Sequence, residues 1–128
     1  TMLRLMRERP SLGVVADQIG TPTWSRSVAE AVWAAAARPE LRGLLHWTDA
    51  GAASWYDFAV AIQEEALAAG LLQRAVPIRP LRTEQYPAPA RRPPFSVLDK
   101  SASYRLLGLA PIHWRENLRA MLREVAAA

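Results

Sequence analysis

Apolar positions along the chain repeat with two periods, and the changes between them predict the elements. In TMLRLMRER, at residues 1–9, Leu3 and Met6 share a helical face with Met2 beside Met6, and Pro10 stops the pattern. No capping residue precedes this helix, so it reads as the tail of a longer one, which suggests that something has been cut off upstream. LGVVA, at 12–16, is a short unbroken apolar run and predicts a buried strand. A helix follows from Ser25 or Ser27 to about Arg38. Ser27 with Glu30 makes an S-x-x-E capping box, and Val28 and Val32 stack at i, i+4 with Ala35 and Ala36 beside them. After Gly43, LLHWT at 44–48 predicts a second strand. Beyond the loop DAGAA, Ser54 and Asp57 start a helix whose stripe is Trp55, Phe58, Ala59, Ile62, Ala66 and Ala69. Gln63, Glu64 and Glu65 lie on its solvated side, and Gly70 sits at its end. VPIRPLR, at 76–82, reads as an edge strand because of Pro77 and Pro80. Asp99 caps a short helix to Leu107, ended by Gly108. The last helix runs from about His113 to Ala126, with Trp114, Leu118, Met121, Leu122 and Val125 on one side and Arg115, Glu116, Arg119 and Arg123 on the other.

Helices alternating with a few short strands predict a small mixed α/β unit. A length of 128 residues suits one domain, too small for a complete dinucleotide fold. Six of the ten prolines lie between residues 77 and 94, in a stretch read as an ordered surface loop rather than a linker. Cysteine is absent, which excludes disulfides, thiolate metal sites and a cysteine nucleophile and fits a cytoplasmic setting. No apolar run has the length of a membrane span and no secretory leader is evident, so no membrane partner is expected. The net charge of +4 rests almost wholly on arginine, Lys100 being the only lysine. The arginines are scattered and mostly have acidic neighbours, so a nucleic-acid partner is not expected.

Most catalytic signatures are missing. The glycines, at 13, 20, 43, 51, 70 and 108, lack the spacing of a Rossmann turn, and there is no phosphate-binding P-loop. Tyr56, Tyr86 and Tyr104 each lack the lysine four residues on that a reductase tyrosine needs, while Lys100 and Tyr104 have the spacing in reverse order. His46, read as lying within a strand, is structural, and His113 stands at a helix start; no third ligand completes a zinc site. The five tryptophans are core residues by default, Trp24 being the one placed to serve as a ligand platform. Two features carry more. DQIGTPT, at 17–23, sets Asp17, Gln18, Thr21 and Thr23 at the mouth of a helix, where unpaired N–H groups and a partial positive charge suit an anion or a sugar hydroxyl. The same stretch also reads as a well-capped junction. PAPARRPPFSVLD holds Arg91 and Arg92 between prolines, either as a bidentate phosphate site or as surface or inter-domain salt bridges.

Taken in order, TMLRL, VVADQIGTPT, GLLHWTDAGAASWYDFA, YPAPARRPPFSVLD and the Trp114 helix resemble the C-terminal part of the dTDP-4-dehydrorhamnose reductase family, over essentially the whole chain. The resemblance implies the small substrate-binding domain of an extended short-chain dehydrogenase, with residues 1–128 as a single sugar-nucleotide-binding unit. In that family an upstream Rossmann domain binds NADPH or NADH and carries the Tyr-x-x-x-Lys pair, so no catalytic or cofactor-binding residue is expected here. The intact enzyme would reduce the C4 ketone of dTDP-4-dehydro-L-rhamnose to give dTDP-L-rhamnose for cell-surface polysaccharide. Asp17, Gln18, Thr21 and Thr23 would border the substrate cleft, and Arg91 or Arg92 would meet the diphosphate. The implied partners are the dTDP-sugar, the chain's own Rossmann domain and, in some members, a second copy bridged by magnesium between carboxylates. Arg26 stands where that arrangement expects a carboxylate, which sets magnesium binding in question. A non-catalytic regulatory or interaction domain of the same fold is the alternative. The face around Leu3 and Met6 is expected to be left bare where a partner domain sat.

Overall fold

The structure, a computed structural model, describes residues 1–86 and 89–128. Helix α1 (Met2–Glu8) ends as Arg9 turns extended, at φ −107° and ψ 144°, the conformation a following proline requires. Strand β1 (Leu12–Val15) pairs in parallel with β4 (Ile78–Leu81), from Leu12↔Ile78 to Val15↔Leu81. Pro80 is accommodated because β4 has a strand neighbour on one side only, as the two prolines predicted. A second, antiparallel ladder joins β2 (Ile19–Gly20) to β3 (Ala53–Ser54). Between the paired strands the chain forms α2 (Ser25–Ala36) and α3 (Trp55–Ala68); α4 (Ser101–Leu107) and α5 (Trp114–Ala127) complete it. The mixed helix–strand reading holds.

Helix α3 is the centre, touching α1, β1, β3, β4 and α5. The predicted capping box forms at its start: Asp57 N–H donates to Ser54 Oγ at 3.0 Å, and Ser54 N–H donates to Asp57 Oδ2 at 2.9 Å. At its end Gly70 takes φ +72°, and Leu71 and Gly70 donate back to Ala66 and Leu67 at 2.9 and 3.1 Å, closing the helix as its glycine predicted. The core gathers Met6, Ile62, Ala66, Leu72, Val76, Trp114, Leu118 and Leu122. Buried alanines at 59, 61 and 66 let neighbouring elements approach α3 closely.

Six expectations need correction. Residues 44–48 form no strand. Instead Trp47 packs edge-on against Tyr104 at 5.0 Å, and the Tyr104 hydroxyl donates to Thr48 O at 2.7 Å, so the run is held by side chains of α4 rather than by a ladder. His46 is exposed, its Nδ1 3.3 Å from Asp99 O, and not mid-strand. Helix α2 turns the other way: Ser27 and Ala31 are buried, while Val32 and Trp33 are 61% and 76% exposed. Met6 is 1% exposed and Leu3 packs on the core, so α1 lies against α3 and its apolar face is not bare. Trp55, at the first turn of α3, points out and is 54% exposed. Glu65 is buried rather than solvated, because Arg115 and Arg119 reach it from α5.

The Glu65 cluster has a pH signature. The Arg119 guanidinium, bonded at 2.8 and 2.9 Å, and then Arg115 at 3.2 Å hold the Glu65 carboxyl below its ordinary value against the opposing effect of burial. A carboxyl depressed in the folded state stabilises above its unfolded value, and that stability is lost as pH falls through the folded value. Glu65→Gln is therefore expected to cost about 1.5–3 kcal/mol at pH 7 in urea unfolding. The gap between wild type and variant should narrow below about pH 4. A gap independent of pH would exclude the charged pairing.

Candidate functional site

Asp49, a residue not singled out in the sequence, organises the opening loop. It is 3% exposed. Its Oδ2 accepts from the Trp24 backbone N–H at 3.1 Å, and its Oδ1 accepts from the Ser27 hydroxyl. A helix N-terminus leaves N–H groups without intrahelical partners, and here a carboxylate distant in sequence supplies the cap. The expected Ser27–Glu30 box is absent: Trp24 is the N-cap residue, and the Ser27 hydroxyl is taken by Asp49 and by Trp24 O at 3.0 Å. Thr23 Oγ1 accepts from Asp49 N–H at 3.3 Å and donates to Thr21 O at 3.1 Å. Thr21 Oγ1 donates to Gly51 O at 3.0 Å. Gly51, at φ +86°, turns the chain against α5 so tightly that a Cβ there would meet His113 Nε2 at 2.5 Å. His113 itself caps α5, its Nδ1 accepting from Arg115 N–H at 3.2 Å. Burial first, and then the negative charge of Asp49, raises the Tyr104 phenol above its ordinary value, so it stays a neutral donor to Thr48 O.

The other half of the loop is tied elsewhere. Asp17 accepts from Thr83 N–H at 3.0 Å and from the Thr83 hydroxyl at 2.8 Å, and these bonds, the backbone one first, hold its carboxyl below the ordinary range. Gln18 Nε2 donates to Thr83 Oγ1 at 3.1 Å. Ile19 pairs with Ser54 on one side and forms a parallel bridge to Phe95 on the other. Asp17, Gln18, Thr21 and Thr23 are thus all engaged within the chain, and they stitch 17–23 to the turns at 49–51 and 83–85. The Phe95 bridge also brings the second predicted feature beside the first. Arg91 and Arg92 are exposed on the segment leading into it, and neither makes an ion pair among the described residues. Pro87 and Ala88, which open that proline run, lie outside the described residues.

A cleft of about 350 Å³ lies beside the loop, lined by Thr23, Trp24, Phe58, Trp114, Asn117 and Met121 among others. Trp114 Nε1 and Asn117 Nδ2 are buried there without a hydrogen-bond partner among the described residues. Trp24, the expected platform, is half-buried, and the Arg26 guanidinium sits 4.3 Å from its ring centroid, a cation–π contact. Arg26 also forms a two-pronged pair with Glu124 of α5, one arm at 2.7 Å. Arg26, the residue that sets magnesium binding in question, is thus already paired with a carboxylate of α5. Among the described residues no three acidic or histidine side chains gather as a metal site.

The fold is a small mixed helix–strand domain whose glycines lack the spacing of a dinucleotide turn. The model of the RmlD substrate binding domain matches residues 1–127, and the chain belongs to that family. It is 39% identical over 124 residues to a dTDP-4-dehydrorhamnose reductase of Aggregatibacter actinomycetemcomitans, covering 93% of this chain and 42% of that protein. It is 41% identical over 128 residues to the spore coat polysaccharide biosynthesis protein SpsK of Bacillus subtilis, covering 100% of this chain and 42% of that one. The crystal structure of dTDP-4-dehydrorhamnose reductase from Bacillus anthracis in complex with NADP superposes with a TM-score of 0.81 at 32% identity, over 96% of this chain and 41% of that one. The chain therefore spans about two-fifths of the length of these relatives.

The Asp49 network is open to direct test. Asp49→Ala leaves the Trp24 N–H and the Ser27 hydroxyl without their acceptor and is expected to destabilise by about 2 kcal/mol, read by urea unfolding. Amide exchange at Trp24 should accelerate, while Asp49→Asn keeps one acceptor and retains part of the stability. Unchanged exchange at Trp24 in Asp49→Ala would show that the cap is not formed.

Proposed function

We propose that this chain is the sugar-nucleotide-binding part of an NAD(P)H-dependent dTDP-4-dehydrorhamnose reductase acting in the cytoplasm. The intact enzyme would convert dTDP-4-dehydro-L-rhamnose to dTDP-L-rhamnose for cell-surface polysaccharide. The observation that carries this reading is the similarity to such reductases across nearly the whole chain, although it spans only about two-fifths of their length. The remaining three-fifths of such a relative has room for a dinucleotide fold. In the intact enzyme a bound nicotinamide would supply the hydride, and the tyrosine and lysine that the resemblance implies upstream would complete the chemistry at C4.

This chain's part is to bind and orient. Arg91 and Arg92 are exposed beside the opening loop, and Pro93 restricts the backbone there, so little freedom is lost when a ligand is engaged. A guanidinium matches the oxygens of a diphosphate in forked fashion. Asp17, Gln18, Thr21 and Thr23 shape the cleft border chiefly through the turns they hold. That is a rigid support for a bound sugar rather than a set of free hydrogen-bonding groups.

Two measurements test the reading. The purified 128-residue chain should oxidise no NADPH or NADH in the presence of dTDP-4-dehydro-L-rhamnose, whereas the full-length enzyme should. Sugar-dependent oxidation by the short chain would overturn the assignment, and a full-length protein that binds dTDP-sugar without turnover would point to the regulatory alternative. In the full-length enzyme Arg92→Ala should raise KM about tenfold or more, equivalent to about 1.5–3 kcal/mol, with a smaller effect on kcat. If neither Arg91→Ala nor Arg92→Ala changes dTDP-sugar affinity by about threefold, the pair is structural.

A further inference from the structure

Phe95 combines a free side chain with a fixed backbone. The residue is 64% exposed. Yet the segment around it is pinned: Ile19 N–H donates to Pro94 O at 2.8 Å, Ser96 N–H donates to Ile19 O at 2.8 Å, and Ser96 Oγ reaches the same carbonyl at 3.2 Å. The ring makes no aromatic pair among the described residues. An apolar ring held out into water by a rigid backbone is a poor surface residue and a good preorganised contact.

Its neighbours indicate what it would contact. Arg92 lies three residues earlier in the chain, and at about 3.3 Å per extended residue the two Cα atoms are within about 10 Å. A diphosphate on the arginine brings the sugar and base joined to it into that range. Phenylalanine offers no hydrogen-bonding group. It therefore favours the flat face of a base or the apolar face of a 2′-deoxyribose, and it disfavours a ribose whose 2′-hydroxyl would lose water against the ring. Resting on the reading of this chain as a dTDP-sugar binder, we propose that Phe95 carries the nucleoside end of the substrate and helps the enzyme select a deoxythymidine over a uridine diphosphate sugar.

The test uses the full-length enzyme and competition by dTDP, UDP and inorganic diphosphate. Phe95→Ala should weaken dTDP about tenfold, leave inorganic diphosphate within about twofold, and narrow the preference for dTDP over UDP; Phe95→Tyr, which keeps a ring, should restore dTDP binding. Arg92→Ala should weaken all three ligands together. If Phe95→Ala leaves dTDP within about twofold in an enzyme that still reduces the keto sugar, the inference falls while the proposed function stands. An equal loss of dTDP and diphosphate accompanied by a lower Tm would assign the ring to packing against the rest of the polypeptide and overturn it. If the wild-type enzyme neither binds dTDP nor reduces the sugar, the functional reading itself fails.

Discussion

A single buried carboxylate, that of Asp49, sets the geometry on which the loop side of this domain depends. It caps α2 from a position 25 residues away in sequence, takes the hydroxyl of Ser27, and fixes Thr23 through its own backbone. A carboxylate this deeply buried is tolerable only if its acceptor capacity is filled. Filling it forces the turn at 49–51 against the start of α2. Once that is done, Thr21 and Thr23 have partners, and Gly51 is pressed against His113 at the head of α5. Two helix starts and two loops are then mutually positioned by a few hydrogen bonds.

A second set of constraints holds the other half of the same loop. Asp17 and Gln18 grip Thr83, and Ile19 lies between Ser54 and Phe95. The short stretch 17–23 thereby touches three segments far apart in sequence, at 49–54, 83–85 and 94–96. It is a junction whose polar side chains are consumed in joining. Arg91, Arg92 and Phe95 are exposed on the segment bridged to Ile19, and among the described residues the two arginines make no ion pair and the ring makes no aromatic pair.

The packing of α3 on α5 is stabilised differently. There Glu65 sits among arginines of α5, and the stripe of Trp114, Leu118 and Leu122 closes over small side chains. The pairing of Glu65 explains why an apparently solvated glutamate lies buried. The arginines retain partial exposure, so the carboxylate gains charge partners without complete loss of solvent around the pair.

Local order was legible in the chain itself. The Ser54–Asp57 capping box, the glycine-terminated ends at Gly70 and Gly108, the prolines of the edge strand and the stripe of α5 depend on local residues, and each forms as its residues predict except that Val125, at the end of the α5 stripe, is 49% exposed. The family was legible too, because its motifs lie in order along the sequence. Tertiary structure decided what local pattern leaves free. Val28 and Val32 have helical spacing, yet Ser27 and Ala31 turn inward because Asp49 takes the Ser27 hydroxyl. The apolar run 44–48 had no strand to pair with and was taken up by Tyr104. The nearness of the 17–23 loop to the Arg91–Phe95 segment rests on a bridge between residues 76 positions apart, Ile19 and Phe95, which no local spacing encodes. A periodic pattern records which residues share a face, but which face meets the core depends on partners that only the folded chain brings together.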